Sequence, residues 1–159
     1  MLGIYRFIAA GFGAGYSPFA PGTAGAVMGL ALLAVWQHFV PANYFPDHYF
    51  IPLVVVTLIF NFVGVYVTDK VEPAWGSDPS RVVIDEIVGM WIAILWIPPN
   101  WTNWLIAFAL FRFFDIAKPL GIRKLEEIKG GWGVMLDDVL AGIYANLVLQ
   151  VIIRLPFFP

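Results

Sequence analysis

Residues 49–68, YFIPLVVVTLIFNFVGVYVT, form a stretch of 20 residues without one charged side chain. An α-helix rises about 1.5 Å per residue, so this stretch can cross a hydrocarbon core of about 30 Å. Four further apolar stretches of roughly similar length fill most of the chain, at 24–40, 82–97, 103–117 and 138–155. The pattern predicts an all-α, polytopic membrane helix bundle with about five transmembrane helices.

The overall composition also indicates a membrane protein. Hydrophobic residues make up 60% of the 159 residues and charged residues only 13%, about half the charged share of ordinary soluble domains. No low-complexity tract or charge run divides the chain, so we expect one integral-membrane domain, residues 1–159. The nine Lys and Arg residues form no cluster, which argues against a nucleic-acid partner. No obligatory protein partner is evident, and the absence of cysteine excludes disulfides and a Cys nucleophile.

The basic residues predict how the bundle is oriented. With five spans, one membrane side receives seven basic residues and the other side receives only Arg154. The seven are Arg6, Lys70, Arg81, Lys118, Arg123, Lys124 and Lys129. Because cytoplasmic loops carry the excess of Lys and Arg, this side and the N-terminus are expected to be cytoplasmic.

Five acidic residues gather at the same cytoplasmic end of the predicted spans. Asp85 and Glu86 open the third span, Asp115 closes the fourth, and Asp137 and Asp138 open the fifth. Acids at a helix start have a structural explanation, because they accept hydrogen bonds from unpaired backbone N–H groups. Asp115 lies in a last helical turn, where the helix dipole opposes negative charge, so capping does not explain it.

Asp115 has a basic residue three positions away on either side. Arg112 and Lys118 therefore share roughly one helical face with it. A structural salt bridge and a phosphate-binding site both fit this arrangement.

The two acid pairs lie in related sequences, VVIDEIVGMWIA at 82–93 and VMLDDVLAGIYA at 134–145. Gly89 and Gly142 follow them by one helical turn and would permit two helices to approach closely. Several carboxylates at one interface repel each other unless a cation or protons neutralise them. Oxygen ligands without cysteine favour a hard ion, most simply Mg²⁺.

The segment GFGAGYSPFAPGTAG, residues 11–25, is too rich in glycine and proline for an ordinary span. We expect a loop or re-entrant segment buried against protein, with Thr23 capping the first span. Exposed N–H groups before that helix could bind phosphate, although a purely conformational role fits equally.

Four motifs resemble one known family. They are SPFAPGTAG at 17–25, VVIDEIVGMW at 82–91, FRFFDIAKPLGIRKLE at 111–126 and GGWGVMLDDVLAGIYAN at 130–146. In order and spacing they are similar to phosphatidylglycerophosphatase A, a bacterial enzyme that removes the terminal phosphate of phosphatidylglycerol phosphate. The resemblance covers nearly the whole chain. The connection from Asp69 to Arg81 carries no motif, and we assign it no role.

The resemblance implies a Mg²⁺-dependent lipid phosphatase of the bacterial inner membrane, multi-pass and acting on phosphatidylglycerol phosphate at the cytoplasmic face, in phosphatidylglycerol and cardiolipin synthesis. The implied catalytic residues are acidic: Asp85, Glu86, Asp115, Asp137 and Asp138. The implied substrate-binding residues are Pro21, Gly22, Thr23, Arg112 and Lys118. Our hypothesis assigns Mg²⁺ to the two acid pairs, Asp85, Glu86, Asp137 and Asp138. Asp115 is a ligand, a general base or a nucleophile, and the sequence does not decide among these roles.

Other functions remain open from sequence. A small cation transporter or channel subunit would also use carboxylates, but along a pathway and not confined to one interface. A phosphatidyltransferase would use Asp and Mg²⁺ with a different acid spacing. A non-catalytic assembly subunit would use the acids as caps.

Overall fold

The computed structural model of the chain describes residues 2–40, 46–76 and 79–156, with backbone alone at 46–49. These residues form α-helices and two 3₁₀ segments, without a strand in the described part. The helices are α1 (Leu2–Ala9), α2 (Pro21–Phe39), α3 (Pro46–Trp75), α4 (Ile84–Ala93), α5 (Trp101–Ala117) and α6 (Gly131–Ile152). The 3₁₀ segments are Gly11–Tyr16 and Ile122–Glu127. The all-α prediction is confirmed.

Helix α4 lies at the centre of the bundle. It packs against α2, α3, α5 and α6, and nearly all its residues are buried, its two acids included. Its apolar side chains join those of α5, such as Trp104 and Phe111, in the larger core cluster. The bundle therefore holds the Asp85–Glu86 pair at a fixed depth.

The outer faces of the long helices are apolar. Val55, Leu58 and Phe62 of α3 and Leu147 and Val151 of α6 are exposed. In water such a surface would be unfavourable, whereas lipid tails cover it without cost. By length and composition, Pro21–Phe39, Phe50–Trp75 and Gly131–Ile152 can cross a membrane.

Of the remaining two predicted spans, only 82–97 corresponds to a shorter helix, α4, whereas α5 is two residues longer than the expected 103–117. The 10 residues of α4 reach only about 15 Å, and the 17 of α5 reach about 25 Å. The other helix bounds also differ, since α2 begins at Pro21 and α6 at Gly131. Three helices qualify as spans in the described part of the chain, and the total of five stays a prediction.

Polar side chains from neighbouring helices satisfy the backbone that follows α4. The amide of Asn146 donates to the carbonyl oxygens of Ala93 and Leu95 at 3.1 and 2.8 Å. Gln37 and Asn103 donate to the carbonyls of Pro99 and Pro98. Irregular backbone within a bilayer needs such internal partners, so these amides explain how α4 can end inside the bundle.

The glycine-rich N-terminal segment packs against the start of α4 only in part: Gly11 and Gly15 are buried, whereas Tyr16 and residues 18–20 are exposed. The prediction of a buried loop or re-entrant segment is therefore confirmed in part. The Val83 N–H donates to the Ala9 carbonyl at 2.9 Å, and a Cβ on Gly15 would overlap the Arg81 carbonyl oxygen. The prediction that Thr23 caps the first span is wrong. Helix α2 begins before Thr23, and Ala20 stands at its N-cap without a side-chain hydrogen bond.

Candidate active site

A polar cavity of about 280 Å³ lies where α2, α4, α5 and α6 meet. It is lined by every site residue expected from the sequence except Thr23: Pro21, Gly22, Asp85, Glu86, Arg112, Asp115, Lys118, Asp137 and Asp138. Thr23 lies in the first turn of α2, half-buried and outside the lining. Residues from four separate stretches of sequence thus surround one space.

Close contact between α4 and α6 brings the two acid pairs together. A Cβ on Gly142 would overlap the Gly89 carbonyl oxygen, and a Cβ on Gly89 would lie 2.8 Å from the Asp138 carbonyl oxygen. The close approach expected at Gly89 and Gly142 is confirmed. Only glycine at both positions allows the two backbones this separation.

The first acid of each pair hydrogen-bonds locally. Asp85 Oδ1 accepts from the Glu86 N–H at 2.9 Å, and Asp137 Oδ1 accepts from the Asp138 N–H at 3.0 Å. In both pairs the first carboxylate therefore binds the backbone N–H of the second acid, and the side chains of Glu86 and Asp138 remain free of this local bond. The second acid of each pair is therefore the better positioned for a ligand.

Glu86, Asp115 and Asp138 form a cluster with the geometry of a cation site. One carboxylate oxygen from each lies within 4.8 Å of the other two. Glu86 is 8% exposed and Asp138 3% exposed, so water screens their mutual repulsion poorly. Three oxygen donors at this separation fit a hard divalent cation. Asp115 joins the cluster in addition to the residues we expected to bind metal, while Asp85 and Asp137 make other contacts.

Two cations face the carboxylates. Arg112 Nη1 lies 2.5 Å from Glu86 Oε2 and 2.6 Å from Asp115 Oδ2. Lys118 Nζ lies 2.5 Å from Asp137 Oδ2 and 2.8 Å from Glu126 Oε1. Five carboxylates of the cavity thus face two cations, and a metal ion or protons would neutralise the remaining negative charge.

Lys118 stays charged in this setting. Burial disfavours the ammonium, but its hydrogen bonds to Asp137 and Glu126 outweigh that effect and raise the pKa of Lys118 above its ordinary value. An ammonium has three N–H donors, and two are used here. The third can donate to an oxygen of a bound anion.

The N-terminus of α2 points its first turn at the acids. A Cβ on Gly22 would overlap Glu86 Oε1 and lie 3.2 Å from Arg112 Nη1. No side chain caps this helix, so its first N–H groups remain available to an anion. Glycine is required at position 22 because the carboxylate occupies the space of a side chain.

Capping does not explain Asp137 and Asp138. Helix α6 begins at Gly131 and has no acid in its first turn, so the two residues lie well inside the helix. Asp69 performs the capping instead, since its Oδ1 accepts from the Gly131 N–H at 2.6 Å. The pair is therefore buried in a helix interior without a role in the helix end.

The sequence did not reveal several residues near the site. Our assignment of no role to the connection 69–81 is wrong, because Asp69 caps α6 and Pro79 and Ser80 line the cavity. Glu126 was also missed as a partner of Lys118. Glu126 lies eight positions after Lys118 and beyond a turn of the chain, so helical spacing did not predict that the two side chains pair.

Comparison with known proteins gives consistent matches. The sequence profile described as phosphatidylglycerophosphatase A matches residues 7–153. A relative from Bacteroides thetaiotaomicron with the provisional name phosphatidylinositol-3-phosphatase is 50% identical, over 91% of this chain and 90% of its own. Proteins named phosphatidylglycerophosphatase A from Haemophilus influenzae and Escherichia coli are 38% and 33% identical, over 94% and 93% of this chain and 88% and 83% of theirs. No solved structure matches the chain.

Proposed function

The chain belongs to the phosphatidylglycerophosphatase A family, and we propose that it hydrolyses phosphatidylglycerol phosphate to phosphatidylglycerol in a Mg²⁺-dependent reaction. It acts as one integral-membrane domain, residues 1–159, multi-pass in the bacterial inner membrane with the site at the cytoplasmic face. The reaction serves phosphatidylglycerol and cardiolipin synthesis. Three helices long and apolar enough to cross a membrane support a membrane location, and the distribution of basic residues in the sequence is the basis for the cytoplasmic face.

One observation carries the proposal. The carboxylates of Glu86, Asp115 and Asp138 lie within 4.8 Å of one another, with Arg112 paired to two of them and Lys118 in the same cavity. Phosphomonoester hydrolysis needs cations around the phosphoryl oxygens and carboxylates that hold a metal ion and orient water. This cavity supplies both kinds of group.

Mg²⁺ is the proposed cofactor. The donors are all carboxylate oxygens, which suit this ion, and the geometry favours Glu86, Asp115 and Asp138 as its ligands. Asp85 and Asp137 remain candidate ligands from the sequence. When bound, the ion neutralises charge on the phosphoryl group and lowers the pKa of coordinated water.

The chain's own cations bind the substrate phosphate. Arg112 and the third N–H of Lys118 donate to phosphoryl oxygens, and the first N–H groups of α2 at Gly22 and Thr23 add further donors. Arg112 also holds Glu86 and Asp115 at fixed distances. In the reaction, the water oxygen bonds to phosphorus and gives up a proton, the bond from phosphorus to the alcohol oxygen breaks, and the alcohol oxygen takes up a proton.

Phosphatidylinositol 3-phosphate is a second candidate substrate. The 50% identical relative carries that specificity in its provisional name. Both lipids present a phosphomonoester on a polyol, so the same carboxylates and cations would act on either.

A cation transporter or channel subunit was the alternative from the sequence. Its carboxylates should follow a path through the bundle, yet Glu86, Asp115 and Asp138 lie within 4.8 Å of one another. A single local cluster, and not a series of acids along a pathway, supports the phosphatase.

Purified protein in detergent tests the proposal. Phosphate release is measured from phosphatidylglycerol phosphate and phosphatidylinositol 3-phosphate, with Mg²⁺ and with EDTA. We expect Mg²⁺-dependent release, faster from phosphatidylglycerol phosphate. Faster release from the inositol lipid would reassign the substrate, and no release from folded protein would refute the phosphatase.

A further inference from the structure

A second cavity of about 340 Å³ lies beside the candidate active site, between α3, the 3₁₀ segment Ile122–Glu127 and the start of α6. Val134 and Asp137 line both cavities. The two cavities are therefore adjacent, and a molecule that occupied both would pass Asp137. The volume is within the range of ordinary small-molecule sites.

A buried hydroxyl group in the second cavity has no partner. Thr68 lines the cavity and is 1% exposed, and its Oγ1 makes no hydrogen bond within the described part of the chain. A buried hydroxyl without a partner is unfavourable. A hydroxyl group of a bound ligand would satisfy it.

The charged side chains of this cavity indicate the class of ligand. Glu72, Glu126 and Asp137 supply three carboxylates, and Lys129 supplies one ammonium. Glu126 and Asp137 pair with Lys118, whereas Glu72 and Lys129 have no ion pair among the described residues. Inside the cavity a second anionic group would meet more negative than positive charge, so the phosphodiester that follows the polyol in the lipid must lie outside it. Neutral hydroxyl groups can donate to the carboxylates and accept from Lys129 and Thr68.

We propose that this cavity binds the polyol to which the hydrolysable phosphate is attached, and so selects among phosphomonoester lipids. The inference rests on the proposed phosphatase, because that function places the phosphate in the neighbouring cavity. The free hydroxyl of the headgroup glycerol donates to Glu72 and accepts from Thr68, and the ester oxygen lies near Asp137, which lines both cavities.

Substrate preference tests the proposal with Thr68→Val, which removes the hydroxyl and keeps the shape. The substrates are phosphatidylglycerol phosphate and phosphatidic acid, whose phosphate is attached directly to diacylglycerol without a headgroup polyol. We expect kcat/KM for phosphatidylglycerol phosphate, divided by kcat/KM for phosphatidic acid, to fall about tenfold in Thr68→Val. Thr57→Val is the matched control, because Thr57 is a buried threonine of the same helix whose hydroxyl donates to the Leu53 carbonyl outside the cavity. An unchanged ratio in Thr68→Val, or an equal fall in the control, would overturn the proposal.

Glu72→Gln provides a second variant at a half-buried position if Thr68→Val does not fold. It keeps the side-chain shape and replaces one acceptor oxygen by a donor. The same fall in the ratio is expected, and a ratio equal to wild type would count against the polyol site.

Binding of two non-hydrolysable phosphonates separates this proposal from the phosphatase itself. Calorimetry compares 3,4-dihydroxybutylphosphonate with butylphosphonate, which differ only in two hydroxyl groups. Wild type should bind the dihydroxy compound about tenfold more tightly, and Thr68→Val should lose that preference. If the protein prefers the dihydroxy phosphonate but hydrolyses neither lipid, the phosphatase alone is refuted. If it hydrolyses lipid but binds the two phosphonates equally, the polyol site alone is refuted. Neither hydrolysis nor preference would refute both.

Discussion

Replacing Gly142 by alanine places a methyl group against the backbone of α4. The new Cβ would overlap the Gly89 carbonyl oxygen and lie 3.1 Å from Ile92 Cβ. In a helix interior, alanine raises the unfolding free energy by about 0.5–1 kcal/mol relative to glycine. An extra methyl group in a packed core lowers it by about 1–3 kcal/mol. We expect a net loss of roughly 1–2 kcal/mol, because α4 and α6 must separate.

The same separation moves Glu86 away from Asp138. A misplacement of about 1 Å in a catalytic site can lower the rate about 100-fold, so kcat should fall at least about tenfold. Thermal unfolding in detergent measures the stability, and phosphate release from phosphatidylglycerol phosphate measures kcat. The melting temperature should fall by several degrees.

Gly3→Ala is the control for Gly142→Ala. Gly3 also lies in a helix, but no atom lies within 4 Å of the position that a Cβ would take there. This variant should match wild type or be slightly more stable. If Gly142→Ala and Gly3→Ala share the melting temperature and kcat of wild type, the close α4–α6 contact does not position the site.

Three further variants test single contacts. Asp69→Ala removes the cap of α6 and should lower the unfolding free energy by about 1–2 kcal/mol, measured by thermal unfolding; no change would rule out the cap. Asn146→Ala leaves the part-buried carbonyls of Ala93 and Leu95 without their main partner and should lower the unfolding free energy by about 1–3 kcal/mol in the same measurement; no change would show that these hydrogen bonds do not stabilise the end of α4. Lys118→Met removes a hydrogen-bond donor to the substrate phosphate and the partner of Asp137, so kcat/KM should fall about 100-fold. Wild-type kinetics would contradict the assignment of Lys118 to phosphate binding.

The all-α fold could be predicted from composition and apolar periodicity, because a chain this apolar has few alternatives. Helix ends were harder to predict. Helix α4 can end early because Asn146 and Gln150, more than 50 residues away, donate to the carbonyls of its last residue, Ala93, and of Leu95. Such partners have no local signal in the sequence.

The acids of the candidate site could be found from sequence because they are rare in apolar helices and fall at one end of the predicted spans. Their pairing could not be found. Asp115 clusters with Glu86 and Asp138, while Asp137 turns to Lys118. The contacts that each acid makes depend on how α5 and α6 are rotated about their axes. Both helices are apolar on all sides, so the sequence does not predict that rotation.

The second cavity also depends on distant residues. Thr68 and Glu72 come from α3, and Lys129 and Val134 lie about 60 residues later in the chain. The connection that follows α3 carries no motif in the sequence. Only the packing of α3 against α6 brings these side chains together.

Phosphate release from phosphatidylglycerol phosphate as a function of Mg²⁺ concentration tests the carboxylate site most directly. The comparison is wild type, Asp138→Asn and the control Glu127→Gln, an exposed acid outside both cavities. We predict that Asp138→Asn melts like wild type and loses at least about 100-fold in kcat/KM, while Glu127→Gln keeps wild-type activity. Wild-type kinetics and Mg²⁺ dependence in folded Asp138→Asn would contradict the account.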